Sequence, residues 1–207
     1  MDSAQILVVA ATDHEMAQPN GWLTLTCGVG PVEAAAATAA AIARWRPAAV
    51  LHVGIAGSRR HRGFAAGSLV IGSSSRYCDL HVPAGWAPHI VDAATQLVAA
   101  ASAALPNALV LPIGTSAHVG GTSHCDVEAM EGFGVLRAAQ LAGVPALEVR
   151  AISNEIEEAD RSRWHFALAF AAIISATPHL VPALQRALSI TLSGSSPLVI
   201  SQEVADA

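Results

Sequence analysis

Ile6-Leu7-Val8-Val9-Ala10-Ala11 is an unbroken apolar run, rich in β-branched residues, and it stops at the polar tetrad Thr12-Asp13-His14-Glu15. A strand with one wet face alternates polar and apolar residues. A run without alternation is covered on both faces, as in a parallel sheet packed between helices. Working outward, similar runs stand at 48–53, 68–72, 108–113 and 145–152, and 22–26 alternates like a strand with one wet face. Between them lie helical stretches at 32–44, 90–104, 128–142 and 161–188, the last as one long helix or two. Gly28-Val29-Gly30-Pro31 reads as a turn whose proline suits the first turn of a helix. Gly54-Ile55-Ala56-Gly57 reads as a second turn, 114–126 as a loop, and Gly143 as the residue that closes a helix.

Strands alternating with helices predict an α/β fold: three-layer α/β/α with a central mixed, mostly parallel sheet. The expected organisation is a single domain over 1–193 and a loosely held tail over 194–207. In such folds ligands gather at the carboxyl ends of strands. That singles out Glu15, the Gly54 turn, the Gly114 loop and Ser153-Asn154.

Composition removes several function classes. The 207-residue chain is 53% apolar and 13% charged, with a net charge of −5. No basic stripe is present to meet nucleic acid; Arg59-Arg60-His61-Arg62 reads as a solvated loop. Cys27, Cys78 and Cys125 are dispersed and odd in number, which argues against disulfides and zinc and suits a reducing cytoplasm. No metal ligand set is legible among the nine histidines, and no cofactor is expected. Asp2 stands where a signal peptide would carry basic residues. The most membrane-like run, 166–176, is shorter than the roughly 20 residues a span requires. Pro178 and His179 follow it, so it reads as a buried helix.

Gly28-Val29-Gly30 after a strand has the start of a dinucleotide-binding pattern. The third glycine position is Glu33, however, and no acidic residue ends the next strand at Leu51-His52-Val53. A tight strand-to-helix turn accounts for the segment better than a bound dinucleotide.

The order of segments carries more than any one of them. Residues 6–15, then Gly28-Val29-Gly30-Pro31-Val32-Glu33, Val53-Gly54-Ile55-Ala56-Gly57, Gly67-Ser68-Leu69-Val70-Ile71, Ala129-Met130-Glu131-Gly132 and Val149-Arg150-Ala151-Ile152-Ser153-Asn154 resemble, in sequence, the nucleoside phosphorylase-I superfamily. The resemblance spans about residues 5 to 175. Its hydrolase branch contains the methylthioadenosine/S-adenosylhomocysteine nucleosidases and the futalosine hydrolases. Met130-Glu131-Gly132-Phe133 with Ile152-Ser153-Asn154 is more similar to the latter. The resemblance implies a homo-oligomer, dimeric or larger, that cuts the N-glycosidic bond of a small purine nucleoside. For the futalosine hydrolases the pathway is menaquinone biosynthesis.

Chemistry and resemblance can be set side by side at each residue. Glu15 matches the glutamate that activates water, and a carboxylate there can act as general base; on residues alone it is a surface glutamate opening a short helix. Glu131 matches the glutamate that binds the ribose hydroxyls, which one carboxylate can accept together. A glutamate at a helix start is also ordinary, although Glu128 suits that role better. Met130 would pack on the sugar. Asn154 stands where adenosine-cleaving relatives carry an aspartate that protonates N7. An amide donates but is no ordinary acid, and it suits the acceptor oxygen of a 6-oxopurine; it could also simply cap a turn. Ser153 would orient it. Ile55 and Ala56 put apolar groups where a phosphorylase would place polar donors. His118 and Val119 are candidates to stand against the base, and Phe133 and Trp164 to line the 5′ pocket, although both aromatics suit a plain core as well.

Overall fold

The computed structural model describes residues 4–83, 85–120 and 124–193. The tail expected over 194–207 lies outside them. Among the described residues the strands are β1 (Ile6–Ala10), β2 (Leu23–Thr26), β3 (Ala49–Ser58), β4 (Leu69–Tyr77), β5 (Ile90–Asp92), β6 (Leu109–Thr115), β7 (Val127–Ala129) and β8 (Ala146–Glu155). The helices are α1 (Pro31–Trp45), α2 (Thr95–Ala104), α3 (Gly132–Leu141) and α4 (Phe166–Ser193).

All eight strands join one mixed sheet. Parallel ladders link β1 to β2 and β3, β3 to β8, β4 to β6, and β6 to β7. Antiparallel ladders link β3 to β7, β4 to β5, and β4 to β8. The pairings β3–β8–β4–β6–β7–β3 return to their start, so part of the sheet closes on itself and leaves no free edge there.

The three layers follow from period-two alternation. Ile6, Val8 and Ala10 face α2 and α4, where they meet Leu97, Ala101, Ala169 and Ile173. Leu7 and Val9 face α1 and α3, against Ala34, Ile42, Val135 and Leu136. Both faces of β1 are thus buried, as its unbroken apolar run requires.

The structure departs from the sequence expectation in four places. Gly54-Ile55-Ala56-Gly57 is not a turn: β3 runs through it, paired with β8 from Val50↔Ala146 to Ser58↔Glu155, with one irregularity at Ala56/Gly57. The long ladder overrides the local turn signal of the glycines. Ile90–Asp92 is a strand rather than the start of a helix, because β4 offers it an antiparallel edge. Val127–Ala129 is also a strand, wedged between β3 and β6, so α3 begins only at Gly132 and Glu128 is not a helix-start residue. Finally, α4 does not stop at Pro178 but continues through Pro178 and Pro182. Both prolines lie on its exposed side, where the carbonyls they leave unpaired can reach water.

Helix α4 is long and apolar enough to cross a membrane by length and composition. In the fold its Ala169, Ile173, Ala176, Leu180 and Leu184 stripe is buried against the sheet and α2. That stripe has the spacing of an amphipathic core helix.

Candidate active site

A cavity of about 270 Å³ opens where β1, β3 and β8 end. Strand over-run brings Ile55, Ala56, Ser153 and Asn154 into its wall from within β3 and β8. Glu15 enters from the single 3-10 turn after β1, and Met130 and Glu131 from the junction of β7 and α3. Val119 and Trp164 also line it. His118 and Phe133 do not. The His118 carbonyl accepts a 2.7 Å hydrogen bond from the Ser116 hydroxyl. Phe133 is on α3, stacked 5.1 Å from Tyr77 inside the core. For Phe133 the hydrophobic period of α3 decides: its helix turns that ring toward the sheet and away from the cavity.

Glu15 is only 4% exposed. Its Oε2 accepts from the Thr12 amide at 3.0 Å and the Thr12 hydroxyl at 2.9 Å. This is a capping box closed over one turn. Its Oε1 accepts from the Ile55 amide at 3.0 Å, which ties the turn to β3. The polar tetrad after β1 is therefore a device that folds a carboxylate back over the end of the sheet.

Glu131 occupies the position before α3. Its Oε1 accepts from the Gly30 amide at 3.1 Å. Gly30 has φ +97°, a backbone conformation that glycine adopts freely and L side chains rarely do. Oε2 accepts from Arg150 Nη2 at 3.3 Å. Burial pushes the Glu131 carboxyl above the ordinary carboxylate range, against the opposing pull of Arg150 and the Gly30 amide.

Arg150, fully buried, lies beneath this floor. Its Nε donates to Glu148 at 2.7 Å, its Nη1 to the Ile55 carbonyl at 3.4 Å, and its Nη2 is 3.2 Å from the His52 ring nitrogens. Burial alone would lower the guanidinium's proton affinity, but Glu148, Glu131 and Glu15 together hold it above its ordinary value. His52 is held well below the imidazole range, by burial first and by Arg150 second, and so stays neutral. A Cβ on Gly54 would collide with Arg150 Nη1 and lie 2.9 Å from Glu15 Oε1. Glycine is required there by close approach, not by a turn.

Asn154 is bracketed by its neighbours. Its Oδ1 accepts from the Ser153 hydroxyl at 2.7 Å, and its Nδ2 donates to the Glu155 carbonyl at 2.8 Å. These partners fix which end of the amide is which. They leave one amide N–H unspent.

Sequence reasoning missed Arg150, Glu128, His14, Phe166 and Phe170; Arg150 holds the floor and the other four line the cavity. The signal for Arg150 was present: His52, Glu148 and Arg150 interrupt otherwise apolar strands, and a charge inside a buried strand is an informative oddity. Phe166 and Phe170 stand four apart, on one face of a helix.

Two consequences can be measured. Arg150→Met leaves Glu131 and Glu148 buried without their cation and is expected to destabilise the fold by about 3–5 kcal/mol in urea unfolding. Glu131, with a carboxyl raised on folding, contributes stability at acid pH that is lost as pH rises through its raised value. Glu131→Gln carries no such titration, so its melting temperature should gain on the parent's between about pH 4 and about pH 7. A constant difference across that range would contradict the raised value.

Comparison with known proteins places the chain. Residues 22–124 match the family model of the phosphorylase superfamily. The futalosine hydrolase of Streptomyces coelicolor is 36% identical, over an alignment covering 81% of each chain. Among solved structures, the futalosine hydrolase of Helicobacter pylori superposes with a TM-score of 0.72 at 16% identity, covering 91% of this chain and 98% of that one. A methylthioadenosine/S-adenosylhomocysteine nucleosidase from Colwellia psychrerythraea, solved with adenine, superposes at 0.75 and 20% identity, covering 90% and 96%. The structural likenesses carry the fold, and the sequence identity over four-fifths of both chains carries the rest: this chain belongs to the futalosine hydrolase family of the phosphorylase superfamily.

Proposed function

We propose that the protein hydrolyses the N-glycosidic bond of futalosine, a 5′-modified hypoxanthine nucleoside, releasing hypoxanthine. The observation that carries this reading is one cavity holding two anchored carboxylates, Glu15 and Glu131, and an amide with an unspent N–H, Asn154.

Glu131 accepts hydrogen bonds from the ribose 2′- and 3′-hydroxyls. Glu15 takes a proton from the attacking water as its oxygen bonds to C1′. The C1′–N9 bond breaks as positive charge builds on the sugar, and its electron pair leaves with the purine. Asn154 donates to an acceptor on the leaving base, N7 or O6, and stabilises the charge it gains; protonation comes from solvent. An adenine amino group would present a donor to that same N–H, whereas hypoxanthine presents oxygen.

Water rather than phosphate is the nucleophile. No arginine or lysine is among the lining residues. Arg60 is held by Glu155 at 2.6 Å and Arg59 by Glu157 at 3.6 Å. The homo-oligomer and the cytoplasmic location implied by the sequence are part of the same proposal.

Chromatography of products from futalosine, aminodeoxyfutalosine, methylthioadenosine and inosine, with and without phosphate, tests it. Hypoxanthine from futalosine, at a rate indifferent to phosphate, is expected; adenine from methylthioadenosine as the main activity would overturn the account of Asn154. Asn154→Asp should move base preference from hypoxanthine toward adenine nucleosides, read as the ratio of kcat/KM for the two bases. An unmoved ratio would remove Asn154 from base selection.

A further inference from the structure

The proposed reaction gives a role to the base and the ribose, and it leaves one wall of the cavity unexplained. Trp164, Phe166, Phe170 and His14 form a continuous ladder along that wall. Ring centroids are 5.5 Å apart for Trp164–Phe166, 6.0 Å for Phe166–Phe170 and 5.9 Å for Phe170–His14, the last two pairs stacked at 25°. The chain has four phenylalanines and four tryptophans, and two of the former and one of the latter line this single cavity. Elsewhere the core is filled chiefly by alanine, valine, isoleucine and leucine. Rings are thus concentrated where a ligand would meet them, and aromatic walls at these spacings favour an aromatic occupant.

Charge narrows the occupant further. The ionisable side chains lining the cavity are three carboxylates, Glu15, Glu128 and Glu131, and one imidazole, His14. Arg150 is below the floor and committed to Glu148 and Glu131. Arg161 stands 5.7 Å over the Trp164 ring and does not line the cavity. His14 is exposed, and among the described residues its ring nitrogens have no hydrogen-bond partner. An anionic ligand group therefore has one place to go. His14 also shares its 3-10 turn with Glu15, so this end of the ladder belongs to the sugar side of the site.

We infer that His14 and the Trp164–Phe166–Phe170 ladder form a subsite for an aryl group bearing an anionic substituent at the 5′ position of the nucleoside, with His14 as the residue that selects the anion. The inference rests on the nucleosidase reading above and deepens it.

A matched pair of probes tests it: 5′-deoxy-5′-(phenylthio)inosine and its 3-carboxyphenyl counterpart, which differ only in the carboxylate. The wild-type protein should prefer the carboxylated compound in kcat/KM by about tenfold, the scale of one charge-assisted hydrogen bond. In His14→Phe that preference should fall about tenfold, through KM rather than kcat. His14→Gln is the second variant should the first fail to fold, and it should lose the same preference. The same pair is read by calorimetry on Glu15→Gln backgrounds with and without the His14 substitution, where binding needs no turnover. A preference that survives removal of His14, or none in the parent, overturns the subsite whichever readout gives it. Base release from none of the nucleosides, with a His14-dependent Kd preference intact, would sink the hydrolase reading and leave the subsite standing.

Discussion

One buried guanidinium holds the site together. Taking an arginine out of water costs several kcal/mol, and no cation survives in such a place without close partners. Arg150 has Glu148 at 2.7 Å and Glu131 at 3.3 Å. At an effective dielectric near 20, each contact of about 4 Å or less is worth roughly 4 kcal/mol, so two are enough to offset the desolvation. The same group touches the carbonyl of Ile55, whose amide holds Glu15. Both carboxylates that face the cavity are thereby positioned against one rigid fork. Two glycines make room for it: Gly54 lets Arg150 and Glu15 approach, and Gly132 lets the Glu148 carboxyl sit against the start of α3.

That arrangement is possible because β3 and β8 stay paired for their full length. His52↔Glu148 and Gly54↔Arg150 are cross-strand neighbours on the face turned toward α1 and α3. Two residues further along β8 the chain reaches Ile152, and then Ser153 and Asn154 at the cavity wall. Functional groups carried on strands are held more tightly than groups on loops. Closure of the sheet through β7 adds to this, since β7 delivers Met130 and Glu131 with no free segment between strand and helix.

The legible part of the fold was the part written in hydrophobic pattern. Unbroken runs gave the buried strands, and the Gly28–Pro31 turn gave the start of α1. What escaped was decided by pairing across the sheet, which no local window contains. Gly54–Gly57 carries turn residues and yet stays extended because β8 runs beside it; Ile90–Asp92 becomes a strand because β4 has an open edge. The site shows the same division. Glu15, Glu131 and Asn154 were found through a family resemblance, since isolated carboxylates at element ends are commonplace. His118 and Phe133 were placed in the cavity by sequence proximity alone. Arg150 was overlooked although its position, a charge in the middle of an apolar strand, marked it.

The sign of the charge in the cavity links these observations to chemistry. Glu15, Glu128 and Glu131 face it, and the one guanidinium nearby lies under the floor with its partners already chosen. A wall of this sign stabilises a sugar that gains positive charge as its bond to the base stretches. It also repels a phosphate dianion, which would need cationic donors at the ribose face where Ile55 and Ala56 stand instead. Neutral water meets no such barrier and finds a carboxylate ready to take its proton. The field that favours the reacting sugar thus selects its nucleophile as well, and a negatively charged substrate tail can be accepted only where His14 offsets that field.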